Sequence, residues 1–88
     1  MACKRERLIH LLRDKGIVVR GNSEEFDITM TNGIWVSAEE EENEFYFNYY
    51  GSHATYELGV HRDLDVYLEK RGWYAEWNDP GTIFLWEI

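Results

Sequence analysis

The side chains of this 88-residue chain that could bind a metal or move a proton are three histidines, one cysteine and seventeen carboxylates. Spacing decides what they can do. His10, His53 and His61 make no H-x3-H or H-E-x-x-H pair, and Cys3 has no second cysteine with which to build a zinc site or a disulfide. Ser52 and His53 are adjacent, so in a strand they face opposite sides and form no nucleophile and base. No glycine pattern matches a dinucleotide or phosphate loop. The carboxylates are numerous, yet no apolar neighbourhood marks one of them as an acid of raised pKa. The expectation is no enzyme, no metal and no cofactor.

The distribution of the carboxylates points to binding instead. Residues 1–20 hold six of the nine Lys and Arg, whereas residues 21–61 hold nine acids and neither Lys nor Arg. Glu39, Glu40, Glu41, Glu42 and Glu44 form the centre of that stretch, with Glu24, Glu25 and Asp27 before them and Glu57 after. Clustering of this kind raises self-repulsion, which interspersed lysines would relieve. In an extended strand, side chains at i and i+2 share a face roughly 6.5–7 Å apart, comparable to successive phosphates along a nucleic-acid strand. Glu25 with Asp27, or Glu40 and Glu42 with Glu44, would then stand where phosphates stand for a protein that grips nucleic acid with Arg and Lys. The plainer alternative is a solvated loop between two strands. Direct nucleic-acid binding is not expected, because a net charge of −8 opposes it and only Arg5, Arg7 and Arg13 offer a basic patch.

These groups need elements to position them. Apolar residues Leu8, Leu11 and Leu12 fall on one stripe, predicting a helix over 4–15 that Gly16 stops. A strand is expected over 17–20, and the alternation of Phe26, Ile28 and Met30 predicts another over 25–31. Asn32-Gly33 suits a type I′ hairpin turn, which would set Met30 opposite Trp35 and Thr29 opposite Val36. An aromatic strand over 45–50 would put Phe45, Phe47 and Tyr49 on one face and Tyr46, Asn48 and Tyr50 on the other, with a return strand over 53–58. A second helix is expected over 60–71, and 73–77 with 82–87 form a hairpin about Asn78-Asp79-Pro80-Gly81. The fold class is α+β: a single curved antiparallel sheet of five to six strands with two helices, in the order α-β-β-β-β-α-β-β. No internal repeat or linker is evident.

Bulk composition agrees with one compact domain over 1–88. The chain has 44% hydrophobic and 16% aromatic residues, too much apolar matter for disorder, and 88 residues leave room for one core. One cysteine fits a reducing, cytoplasmic setting, and no apolar run is long enough for a signal peptide or a membrane span. So many aromatics cannot all be buried in so small a core, which leaves Tyr46 and Tyr50, or Trp73 and Trp77, as interface anchors ringed by charge.

With its acidic stretch from Glu24 to Glu57 and the Glu39-Glu40-Glu41-Glu42 core, the chain resembles the small acidic phage-encoded inhibitors of host defence, anti-CRISPR proteins and DNA mimics among them. That resemblance implies a stoichiometric blocker of a nucleic-acid-binding effector, such as a CRISPR effector or a nuclease, acting in the host cytoplasm. Asp27, Glu39, Glu40, Glu41, Glu42, Glu44, Tyr46 and Tyr50 are the expected contact residues. Monomer and homodimer are both compatible with it. Two alternatives stand beside it: an immunity protein or antitoxin that neutralises a nuclease toxin, and a homodimeric adaptor with no catalytic role.

Overall fold

The computed structural model describes residues 3–50 and 56–88. In chain order it contains α1 (Arg5–Asp14), β1 (Val19–Asn22), a one-turn α2 (Ser23–Phe26), β2 (Ile34–Ser37), a 3-10 turn (Glu41–Asn43), β3 (Tyr56–Glu57), β4 (Val60–His61), α3 (Arg62–Lys70), β5 (Trp73–Asp79) and β6 (Thr82–Glu87). Strands β1-β2-β6-β5 form an antiparallel sheet, and β3-β4 form a separate short ribbon. The fold is therefore α+β with an open antiparallel sheet.

Period explains which residues meet. Leu8 and Leu12 of α1 and Leu64 and Leu68 of α3 recur every four residues, so each pair forms one helical stripe. They pack on the sheet face made by Val19, Ile34, Val36, Trp73, Ile83 and Leu85, with Phe47 and Val60 completing the core. Burying side chains of this size contributes roughly 1.5–3 kcal/mol each. No described helix is long and apolar enough to cross a membrane.

The sheet contains a repeat that the sequence does not announce. A helix followed by a hairpin occurs twice, α1-β1-β2 and α3-β5-β6, and the second strands of the two hairpins pair at the centre. A shift of 56 positions carries Leu8, Leu12, Gly16 and Ile17 onto Leu64, Leu68, Gly72 and Trp73. Gly16 (φ 87°) and Gly72 (φ 80°) both end their helices in the left-handed region, where a Cβ is strained. Lys15 and Arg71 precede those glycines and both lie over the Tyr67 ring, at 4.2 and 3.6 Å from its centroid. The acids of 21–61 lie in the segments between the repeated elements, from β1 to β2 and from β2 to α3.

Those connections are where the strand expectations fail. The 25–31 segment is no strand, so Met30 does not face Trp35; Trp35 pairs with Gly21 on one side and Phe84 on the other. Asn22-Ser23-Glu24-Glu25 starts a helical turn instead, with the Asn22 N–H donating to Glu25 Oε2 at 2.6 Å. Ser23, fully buried, then latches the loop: its hydroxyl donates to the Met30 carbonyl at 2.6 Å and accepts the Gly33 N–H at 2.9 Å. Asn32 does have a positive φ of 71°, but it closes this longer loop rather than a two-residue hairpin. Residues 45–50 also fail to form a strand, because the Tyr46 and Phe47 N–H groups both donate to the Asn43 carbonyl and curl the chain. Only Phe47 makes a bridge, to Val60. Of the expected 53–58 strand, Tyr56–Glu57 is present as β3, and 51–55 lie outside the described residues.

Candidate functional site

The glutamates begin where β2 leaves the sheet. The Ala38 N–H donates to the Gly81 carbonyl at 3.0 Å, which ties this point to the β5–β6 turn. Four residues into the acidic run, Asn43 turns inward and is fully buried. Its Oδ1 accepts the Val18 N–H at 2.8 Å, and its Nδ2 donates to the carbonyls of Val18 at 3.0 Å and Ser37 at 2.8 Å. The run is thus a pinned turn. Because Glu41–Asn43 is a 3-10 turn, it rises about 2 Å per residue rather than about 3.3 Å, so the expected ladder of Glu40, Glu42 and Glu44 at phosphate spacing does not form. The carboxylates are carried by one short turn instead.

Glu39, Glu41, Glu42 and Glu44 are exposed, and among the described residues no Lys, Arg or His lies within ion-pair reach of them. Glu40 is the exception, accepting from Arg20 at 2.8 Å. Asp79 adds to the acidic end from the neighbouring turn, and the Gly81 N–H that its carboxylate accepts, at 2.9 Å, holds its pKa below the usual aspartate range.

Beside the acidic turn, Glu44, Phe47, Tyr49, Tyr50 and Pro80 line a groove of about 400 Å³. Tyr50 is 80% exposed, and Tyr49 packs edge-on against both Tyr50 (5.2 Å) and Trp77 (5.1 Å). Glu44 and Tyr50 are thereby brought together as the sequence suggests. Tyr46 is not with them: it is half-buried against the core, with His61 6.3 Å away. Asp27 is not either, because α2 and the acidic run leave opposite ends of β2. Its carboxylate accepts from the Thr29 N–H (2.9 Å) and hydroxyl (2.8 Å), bonds that lower its pKa and make it a turn-closing group.

A second surface escaped the sequence reading. The sheet face away from the helices carries Phe26, Trp35, Phe84, Trp86 and Tyr74, with Phe26 edge-on to Trp35 (5.2 Å) and Phe84 (5.1 Å). Phe84 is buried, and the others remain half-buried or exposed. The signal was available in 82–87, where Phe84 and Trp86 alternate with Ile83 and Leu85 so that both faces are apolar.

The two described histidines, His10 and His61, sit beside carboxylates or aromatic rings. His61 Nδ1 accepts the Asp63 N–H at 3.1 Å, capping α3, and its ring stacks on Phe45 at 4.6 Å. His10 lies 3.7 Å from Asp14 on α1, and among the described residues no three His, Cys, Asp or Glu side chains gather as a metal site. Compared with known proteins, the chain matches no family model, and no curated protein or solved structure is significantly similar to it.

Proposed function

We propose that this chain is a stoichiometric protein inhibitor that covers a basic, nucleic-acid-binding surface of an effector such as a nuclease or a CRISPR effector. The contact is made by Glu39, Glu41, Glu42 and Glu44, with Tyr49 and Tyr50 as the anchors at their side. It is a binding activity, with no reaction performed by the chain itself.

One observation carries this reading: the acidic run is immobilised by a buried asparagine while four of its carboxylates are left exposed and without a cationic partner among the described residues. A loop that only kept the protein in solution would have no use for a buried three-bond anchor. Preorganised like charge lowers the ordering cost at association and steers a basic partner, raising the on-rate at low salt. Mimicry here is of a compact polyanionic knob, since the carboxylates do not follow the spacing of a phosphate strand.

The test is capture from a lysate of candidate host cells at low and at high salt, followed by a challenge with duplex DNA. The expected catch is a nucleic-acid-binding protein released both by salt and by the DNA. A captured protein that keeps its DNA while bound to this chain contradicts the proposal.

A further inference from the structure

The geometry points to an arginine socket on the uncovered sheet face, built by Tyr74, Glu76 and Trp86, which takes an arginine side chain of the basic partner. This inference rests on the proposed binding to a basic protein and names the residue type that the aromatic face receives.

The first half of the repeat supplies the template. Arg20 of β1 lies with its guanidinium 5.4 Å from the Trp35 ring centroid while donating to Glu40 Oε1 at 2.8 Å. An indole face and a carboxylate edge together satisfy a guanidinium, the face through its quadrupole and the edge through charge-assisted hydrogen bonds. Trp35 is paired in register with Phe84 at the centre of the sheet, and Arg20 sits in the β1 bulge facing it.

The second half also sets a carboxylate beside an indole on this face, with the carboxylate now at the strand position that the cation holds in the first. Shifted by the repeat, Arg20 becomes Glu76, which pairs in register with Phe84. Glu76 Oε1 accepts the Trp86 indole N–H at 3.2 Å, so the carboxylate is held at the edge of the indole. Tyr74, two residues before Glu76 and on the same face, is directly opposite Trp86 and is 43% exposed. The Trp86 ring is seated from below, since a Cβ on Gly33 would approach it to 2.5 Å. Among the described residues Glu76 has no ion-pair partner. Lys4 and Arg5 line a groove with Trp86 that does not include Glu76, and Arg5 is engaged by Glu24 at 2.7 Å. A carboxylate, an indole and a phenol thus lie side by side on one face, a set whose chemistry suits a guanidinium. Lysine fits it less well, because a point charge cannot stack and bond in a plane at once.

Titration of the isotopically labelled chain with an arginine-rich peptide and a length-matched lysine peptide, followed by NMR, tests this. The expected result is movement of the Trp86 indole N–H and the Glu76 amide signals, with about tenfold tighter binding of the arginine peptide, and a drop of about fivefold to tenfold for that peptide alone in Glu76→Gln. Movement confined to residues 39–44, or equal affinity for the two peptides, overturns the socket and leaves the acidic contact standing. No binding of either peptide overturns both. A Trp86 signal that shifts with protein concentration alone, alongside a dimer mass in solution, overturns the socket in favour of a second copy on this face.

Discussion

Asn43, in the middle of the glutamate run, holds both backbone polar groups of Val18: it accepts the N–H at 2.8 Å and donates to the carbonyl at 3.0 Å. The most acidic segment of the chain is thereby fixed to the residue that leads into β1. A third bond, to the Ser37 carbonyl at 2.8 Å, ties the same side chain to the end of β2. Removal of the Asn43 amide would leave three part-buried backbone groups without this partner at once. Asn43→Ala is expected to destabilise the protein by roughly 2–4 kcal/mol, read as a lower midpoint in denaturant, and to loosen residues 39–44 in NMR relaxation. A loss within ~0.5 kcal/mol would mean that water replaces the anchor at no penalty.

Ser23 plays the corresponding part for the loop between β1 and β2. Its hydroxyl serves the Met30 carbonyl and the Gly33 N–H together, the first bond part-buried and the second buried. Ser23→Ala should cost about 1–3 kcal/mol, with hydrogen exchange at the Gly33 amide accelerating more than at the core amides of β6.

The acid dependence of stability has a defined sign. Glu24 is held at a pKa of about 2, below its ordinary 4.5, by the Asn32 N–H first, by its own backbone N–H and by Arg5. A depressed folded-state pKa means that the stabilisation is complete above the unfolded-state value and is lost as pH falls through the folded-state value. Asp27 and Asp79 are shifted in the same direction by the N–H groups of Thr29 and Gly81. Thermal stability should therefore fall between about pH 5 and about pH 2. Glu24→Gln should flatten that fall while lowering stability at neutral pH, and an unchanged slope in the variant would remove Glu24 from the account.

Gly33 supports the aromatic face by having no side chain. A Cβ there would stand 2.5 Å from the Trp86 ring and 3.1 Å from the Leu85 carbonyl. Gly33→Ala should destabilise by about 1–3 kcal/mol and change the Trp86 fluorescence, because the indole must move off its seat.

The helices, their glycine stops and the 73–87 hairpin were legible because each is decided locally. Leu8 and Leu12 with Gly16, or Leu64 and Leu68 with Gly72, state period and terminus within a dozen residues. The two false strands failed for one shared reason. In each, a buried polar side chain satisfies backbone groups elsewhere, Ser23 across its own loop and Asn43 at Val18, and overrides an alternating pattern. Asn22 with Glu25 was a readable capping sequence that the alternation of Phe26, Ile28 and Met30 concealed. For the candidate site, Glu39, Glu40, Glu41, Glu42, Glu44 and Tyr50 stood out by composition. Tyr49 and the sheet face of Trp35 and Trp86 did not, since pairing order cannot be read from sequence spacing when the middle of the chain is misassigned.

Charge reversal at the acidic end separates binding from folding. Glu42 and Glu44 are exposed, whereas Glu40 is engaged with Arg20, so reversing Glu40 would also break an internal pair. Glu42→Lys with Glu44→Lys should leave the melting temperature nearly unchanged, because exposed charges away from specific partners contribute within about 0.5 kcal/mol. The same double change should slow association with a basic partner and reduce its dependence on salt.

Displacement of nucleic acid is the most direct measurement. The captured effector, carrying labelled duplex DNA, is titrated with this chain while fluorescence anisotropy follows the DNA. The expected result is complete release of the DNA at one chain per effector, with the Glu42→Lys/Glu44→Lys protein at least about tenfold weaker. An effector that binds this chain and keeps its DNA, or a double variant that displaces as well as the parent, would contradict the claim that the acidic end takes the place of nucleic acid.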